Sequence, residues 1–377
     1  MSVAATGPKY RQVYTSLRRD IESGRLKRGD RVPSEAELVR TFGASRITVG
    51  RAVRELQRAG LVERRVGSGT YVKGAQKIAR ALSFGLLIPD LGETEIFEPI
   101  CQGMMASPLA REHALVWGPS SPSTGSGQTP STSRVRAERA WQLCRHYIDR
   151  KVAGVFFAPL ELMPEKDDVN LRIADALDAA RIPIVLLDRT VVPYPRRGHH
   201  DLVGIDNRRA GYVITDYVIG AGSKRVAFLG MPHTAATVDA REAGYREALY
   251  ASGLAVDRAL ARRLDPTDTE AIKEFIRAVD PDGIVCANDH TAARVMRTLL
   301  RLGRRIPEDT KMAGIDDAEY AELLPVPLTT LRQPTAQIGH AALAAMLDRI
   351  SQPALPPRDI LLHCEIVERE SCRRHDS

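Results

Sequence analysis

Apolar positions follow two different rhythms along the chain. In the first seventy residues they recur at helical spacing. Tyr10, Val13, Tyr14, Leu17 and Ile21 fall at i, i+3, i+4, i+7 and i+11, one face of an amphipathic helix. Ser34 precedes Glu37 by three residues, a capping box in which each side chain satisfies a backbone N–H that the first helical turn leaves open. Leu38, Val39 and Phe42 stripe that helix, Gly43-Ala44 ends it, and Ser45 caps the next. There Val49, Ala52, Val53 and Leu56 define a buried face, with Arg51, Arg54 and Arg58 on the opposite side. A short two-stranded ribbon, closed by Gly67-Ser68-Gly69, runs to Val72.

From about Ser83 the rhythm changes to short apolar runs alternating with helical segments. The runs cover 84–88, 152–157, 184–187, 202–205, 226–229, 283–286 and 312–315, with helical patterns between them such as 208–220, 240–252 and 291–302. This alternation predicts βα units, an α/β architecture of parallel sheets covered by helices on both faces. Asp90, Asp188, Asp206, Asn288-Asp289 and Asp316-Asp317 each follow an apolar run directly, at the carboxyl edge where open α/β sheets bind ligands. Taken singly, such residues also start turns and cap helices, and Asp206 precedes a helix start; five recurrences in register favour a polar cleft.

Charge separates the two regions. Residues 1–80 hold 18 Lys and Arg against 7 Asp and Glu, a net of +11, whereas the remainder holds 36 against 40, a net of −4. A polyanionic partner is therefore expected for the first segment alone. Helix, tight turn, helix and ribbon in a basic segment read as a winged helix-turn-helix over residues 1–75, followed by a linker at 76–82 and a larger unit over 83–377. Five cysteines without Cys-x-x-Cys spacing, no signal peptide and no long apolar run lead to the expectation of a soluble cytoplasmic protein. His199-His200 reads as a polar loop, because no Cys or carboxylate cluster sits at ligand spacing nearby, so no metal site is expected. Residues 118–133, rich in Ser, Thr, Pro and Gly, read as an exposed loop.

Lys9 to Val72 resembles the DNA-binding domain of the GntR family of bacterial transcription regulators, on Gly29-Asp30-Arg31-Val32-Pro33-Ser34-Glu35, Ser45-Arg46-Ile47-Thr48-Val49, Gly60-Leu61-Val62 and Gly67-Ser68-Gly69-Thr70-Tyr71-Val72. The resemblance implies that Arg46 and Thr48 enter the major groove and that Gly67 brings the wing close to the minor groove, with Ser34, Ser45 and Arg51 completing the candidate DNA-binding set. An arginine at the start of a recognition helix can present two donors to guanine, worth about 1–3 kcal/mol of discrimination. Exposed Ile47 is either a thymine-methyl contact or a stray surface residue. Ala36 and Gly50 depart from the family at positions where many relatives carry arginine, so the operator cannot be borrowed.

The segments beyond residue 83 resemble the effector domain of LacI/GalR regulators, built like a type I periplasmic sugar-binding protein. The matching stretches include Leu186-Leu187-Asp188-Arg189, Ala240-Arg241-Glu242-Ala243-Gly244-Tyr245, Ala287-Asn288-Asp289, Gly314-Ile315-Asp316-Asp317 and Leu328-Thr329-Thr330-Leu331-Arg332-Gln333. The resemblance implies a two-lobed parallel-sheet periplasmic-binding-protein-like domain with three crossovers, Gln333 at one of them. Its candidate ligand residues are Asp188, Arg189, Arg241, Asn288, Asp289 and Asp316, to which the strand-edge pattern adds Asp90. Phe97 is either a platform for a sugar ring or a core residue. Carboxylates, amides and arginine forks suit sugar hydroxyls; phosphorylated sugars and nucleosides fit the same residue types.

These readings converge on a homodimeric repressor that binds a palindromic operator in double-stranded DNA and responds to a small-molecule effector, by residue type a sugar or sugar derivative. Two alternatives stand beside it, a sugar-binding protein of a transport system and an α/β enzyme acting on a sugar. The chain has no G-x-G-x-x-G, Walker A or G-x-S-x-G pattern, so neither cofactor nor catalysis is expected.

Overall fold

The computed structural model describes residues 9–22, 25–27, 29–58, 60–65, 68–73, 81–89, 95–117 and 133–373. Gly67, Asp90, most of the expected linker and residues 118–132 lie outside them. The chain divides into two compact units, Met1–Ala81 and Leu82–Ser377.

In the first unit α1 (Lys9–Glu22), α2 (Glu35–Phe42) and α3 (Arg46–Arg58) precede a ribbon of β1 (Val62–Arg65) and β2 (Gly69–Val72). The ribbon is antiparallel, in register from Val62 opposite Val72 to Arg65 opposite Gly69. The apolar stripes read from spacing close on one another: Val13, Leu17, Leu38, Val49, Ala52 and Leu56 share a single core with Val62 and Val72 of the ribbon. Between α2 and α3, Gly43 adopts a left-handed φ of 55°, which suits a residue without a Cβ, and the Lys9 ammonium donates to its carbonyl at 2.5 Å.

The second unit has two lobes. The chain first builds β3 (Ser83–Leu87), α4 (Phe97–Ala106), β4 (Ala114–Val116), α5 (Ser133–Asp149), β5 (Gly154–Phe157), α6 (Lys166–Ala179), β6 (Ile184–Leu187) and β7 (Asp201–Ile205). It then crosses to α7 (Asn207–Gly220), β8 (Val226–Gly230), α8 (Ala236–Ala251), β9 (Ala261–Arg263), α9 (Thr269–Val279), β10 (Gly283–Cys286), α10 (Asp289–Arg301), β11 (Lys311–Asp316) and β12 (Thr329–Arg332). It returns for α11 (Thr335–Ser351) and β13 (Asp359–Leu362), and ends across the divide in β14 (Glu365–Val367).

Strand order is β4-β3-β5-β6-β7-β13 in the first lobe and β9-β8-β10-β11-β12-β14 in the second, the same winding twice. Every pairing in the first sheet is parallel. In the second, β14 runs antiparallel to β12 on an otherwise parallel sheet. The fully buried strands, for example Phe156 and Val185 in one lobe and Phe228 and Val285 in the other, carry the continuous apolar runs that a sheet covered on both faces requires. Because the windings match, β6 and β11 occupy equivalent places, so Asp188 and Asp316 sit at equivalent strand ends.

The helices that flank the crossovers pack without room for side chains. A Cβ on Gly244 of α8 would lie 1.9 Å from the Arg208 carbonyl oxygen of α7, and one on Gly211 of α7 would lie 1.9 Å from the Arg241 carbonyl oxygen. This backbone-to-backbone approach fixes where α8, and with it Arg241, stands relative to β11. Among the described residues no helix is long and apolar enough to cross a membrane.

Candidate functional site

Two surfaces carry chemistry. On the first unit the capping box forms in full: the Ser34 hydroxyl accepts from the Glu37 amide at 3.3 Å, and the Ser34 amide donates to the Glu37 carboxylate at 2.7 Å. That amide bond, with the hydroxyl, holds the Glu37 carboxyl below its usual range. Ser45 opens α3 by accepting from the Thr48 amide at 3.2 Å, and its hydroxyl also pairs with that of Thr48 at 2.8 Å. Arg46 and Ile47 stand exposed on the first turn of α3, Ile47 at 81%.

Arg51, further along α3, has partners within the domain. Its guanidinium lies 3.3 Å from the Glu55 carboxylate and 4.2 Å over the Tyr10 ring, with the side chain still 59% exposed. The i,i+4 spacing to Glu55 was the available signal. At the start of α3 Arg46 and Ile47 are exposed and Thr48 is half-buried against the Ser45 cap.

In the second unit Asp188 and Asp316 lie at the cleft-facing ends of β6 and β11, both with left-handed backbone: φ is 66° at Asp188, 126° at Asp316 and 58° at Asp317. Non-glycine residues held in such regions cost on the order of 1–3 kcal/mol each and collect where a site demands a particular side-chain direction. Asp188 is buried, one of its oxygens has no hydrogen-bond partner, and burial pushes its carboxyl above the usual range against the pull of Arg189 and Arg241. Arg189 pairs with Glu161 and lies 3.2 Å from Asp188.

Arg241 is the hub of the second lobe's edge. Its Nε donates to Asn207 at 2.8 Å, Nη1 donates to the Ala287 carbonyl at 2.5 Å, and Nη2 lies 3.8 Å from Asp316. Gln333, at the crossover between β12 and α11, donates to Asp316 at 2.7 Å, leaving its own buried amide oxygen without a partner. Burial drives the Asp316 carboxyl well above the carboxylate range despite Arg241. Beside Asp316 opens a cavity of about 530 Å³, lined from the first lobe by Glu95, Glu98 and Gln102 and from the second by Asp317, Tyr320 and Arg332.

Several candidates are engaged by neighbours in the fold. Both oxygens of Asp289 are used inside the second lobe, accepting from the Ala318 amide at 2.9 Å and the Thr330 hydroxyl at 2.6 Å. Asn288 caps α10 by accepting from the Thr291 amide at 2.9 Å, and Asp206 caps α7 by accepting from Arg209 at 3.0 Å. Phe97 is 1% exposed within the core, with the Arg189 guanidinium 5.2 Å over its ring. Conversely, residues with no mark in the sequence pattern bridge the lobes: Glu161 accepts from the Ala235 amide at 3.2 Å, Leu162 donates to the His233 carbonyl at 2.7 Å, and Tyr320 donates to Glu95 at 2.9 Å.

Residues 9–72 match the bacterial regulatory proteins of the gntR family, and residues 215–372 match the periplasmic binding protein-like domain. The amino-terminal domain belongs to the gntR family. Joined to it is a periplasmic binding protein-like domain of the kind found in LacI-type regulators. The chain is 34% identical to the regulator CelR of Thermobifida fusca over 200 residues, 52% of this chain and 58% of that one, and so spans under two thirds of that relative. It is 24% identical to the arabinose metabolism transcriptional repressor of Geobacillus stearothermophilus across 98% of both chains. A solved CelR–cellobiose complex is 25% identical with a TM-score of 0.63, covering 87% of this chain and 91% of that one.

Proposed function

We propose that this protein is a transcriptional repressor whose grip on double-stranded DNA is set by a small neutral carbohydrate held between the lobes of its second unit. The observation that carries the reading is the edge formed by Asp188, Arg241, Asp316 and Gln333: two strained strand ends, an arginine fork and an amide in one chain with an exposed basic reading helix. Each arginine of that edge already faces a carboxylate, Arg189 with Glu161 and Asp188, Arg241 with Asp316. At the cavity Asp317 is paired with Arg332, and Glu95, Glu98 and Glu319 add a surplus of acidic residues, which favours hydroxyl-rich neutral ligands over phosphorylated ones. The full-length likeness to an arabinose metabolism repressor and the cellobiose bound to CelR support a sugar as effector. Relatives that are regulators also favour this reading over catalysis or transport. Two-fold symmetry of a homodimer would match a palindromic operator.

The test is a thermal-shift panel of neutral sugars and sugar phosphates, followed by gel shifts on duplexes selected from random sequence. The expected result is stabilisation by a neutral mono- or disaccharide and a change of roughly 5–150-fold in operator affinity, the usual range of coupling. A protein that ignores duplex DNA at low salt, or that only sugar phosphates stabilise, overturns the reading.

A further inference from the structure

His199 and His200 read as a polar loop for want of a nearby carboxylate, and the fold supplies one. Asp178, at the end of α6, brings its carboxylate to 2.8 Å from Nε2 of His199 and to 3.1 Å and 3.2 Å from Nε2 of His200. Adjacent side chains of an extended strand point to opposite faces, so two neighbouring imidazoles converge only where the backbone turns. It bends at both residues, and the rings stand 4.1 Å apart. Arg197 steadies the bend by donating to the His200 carbonyl at 2.9 Å while pairing with Asp359 of β13 at 2.7 Å. His200 is buried, and its Nδ1 has no hydrogen-bond partner; His199 is 73% exposed on the solvent side.

We propose that Asp178, His199 and His200 form a three-donor site for a divalent transition ion of the zinc, nickel and cobalt class. Among the described residues this is the cluster whose ligand atoms all lie within 4.8 Å of one another. Zinc-to-ligand bonds of about 2.0–2.1 Å set neighbouring donors roughly 3.4 Å apart in a tetrahedral site, so the carboxylate-to-imidazole spacings need to widen by roughly 0.2–0.6 Å. Two imidazoles with one carboxylate select these ions over magnesium and calcium, which take oxygen ligands. Coordination positions remain for water. A bound ion ties the segment that leads from Arg189 into β7 down onto α6, apart from the sugar cleft itself.

The experiment is calorimetry of zinc chloride and nickel chloride into the untagged full-length protein, repeated with His199→Ala and Asp178→Ala, with metal content checked by mass spectrometry. Wild type is expected to bind one ion per chain, and each variant to bind at least about tenfold more weakly. Because His199 is exposed, its variant should keep the wild-type melting curve, which separates loss of a ligand from loss of fold. Absence of zinc and nickel binding in the wild type, or wild-type affinity in either variant, overturns the site.

Discussion

Arg241 and Asp316 face each other at 3.8 Å, both buried, the arginine fixed by Asn207 and the Ala287 carbonyl and the aspartate by Gln333. The gap is wider than a direct hydrogen bond, and it leaves donor and acceptor capacity aimed at one place. Under the sugar reading, Arg241→Lys keeps the charge but loses the fork, and Asp316→Ala loses the carboxyl group that faces Arg241 and Gln333. Each should weaken sugar binding at least about tenfold, in line with roughly 1.5–3 kcal/mol for hydrogen bonds to charged groups, while sugar-free DNA binding is unchanged. Titration calorimetry returning the wild-type dissociation constant for both variants refutes the cleft.

The lobes touch through Tyr320 and Glu95 at the rim of the same cavity. Tyr320→Phe removes that bond and little else. A net loss of about 0.5–1.5 kcal/mol from the closed form should lower sugar affinity roughly 2–10-fold and enlarge the sugar-free radius of gyration. Small-angle scattering and affinity that both match wild type refute a latch.

The reading head was legible because its determinants are local: the Ser34–Glu37 box, the Ser45 cap and the i, i+3, i+4 stripes act within a few residues of one another. The strand-end positions of Asp188 and Asp316 were legible for a similar reason, since an apolar run ending in a carboxylate is local information. It also swept in Asp289 and Asn288, because sequence does not reveal whether a strand-end side chain turns outward or satisfies a backbone amide of its own lobe, as Asp289 does for Ala318. Glu161, Tyr320 and Asp178 act on partners 74, 225 and 21 residues away, contacts that only the tertiary winding creates.

Gly244 makes a prediction whose sign is decisive. Alanine in an open helix position stabilises by roughly 0.5–1 kcal/mol relative to glycine. Here the added methyl meets the backbone of Arg208 and Tyr212 at 1.9 and 2.6 Å, atoms that cannot rotate away. Gly244→Ala should therefore destabilise by about 1–3 kcal/mol, a fall of several degrees in melting temperature. An unchanged or raised temperature shows that α7 and α8 are not in backbone contact.

Asp289 links stability to pH. Burial pushes its carboxyl to about 6 from an ordinary 3.8. The unfolded chain gives up this proton earlier as pH rises, so the group favours folding in acid, and that contribution is lost as pH climbs from about 4 through 6. An asparagine in its place is isosteric: the amide oxygen can accept from Ala318, and Thr330 can turn from donor to acceptor. Asp289→Asn should gain melting temperature relative to wild type between pH 5 and pH 7.5, with Asp188 and Asp316 present in both proteins as a common background. A difference between the two that stays constant over this range rejects the assignment.

Arg46 and Arg51 lie on the same helix in different surroundings. Both side chains are exposed, but Arg51 lies against Glu55 and Tyr10, whereas Arg46 stands on the first turn beside the Ser45 cap. If Arg46 reads a base edge, Arg46→Ala should cost about 1–3 kcal/mol on the selected duplex and little on random DNA, so the specificity ratio falls roughly 5–150-fold. Arg51→Ala should weaken both duplexes alike by a small factor and flatten the slope of log affinity against log salt by at most about one. Gel shifts and salt titrations on the two duplexes distinguish these outcomes, because a positioning contact shifts both affinities together and a base contact shifts their ratio. Equal losses on both duplexes for Arg46→Ala reassign it to the phosphate backbone and leave base reading to the remaining exposed residues of that turn.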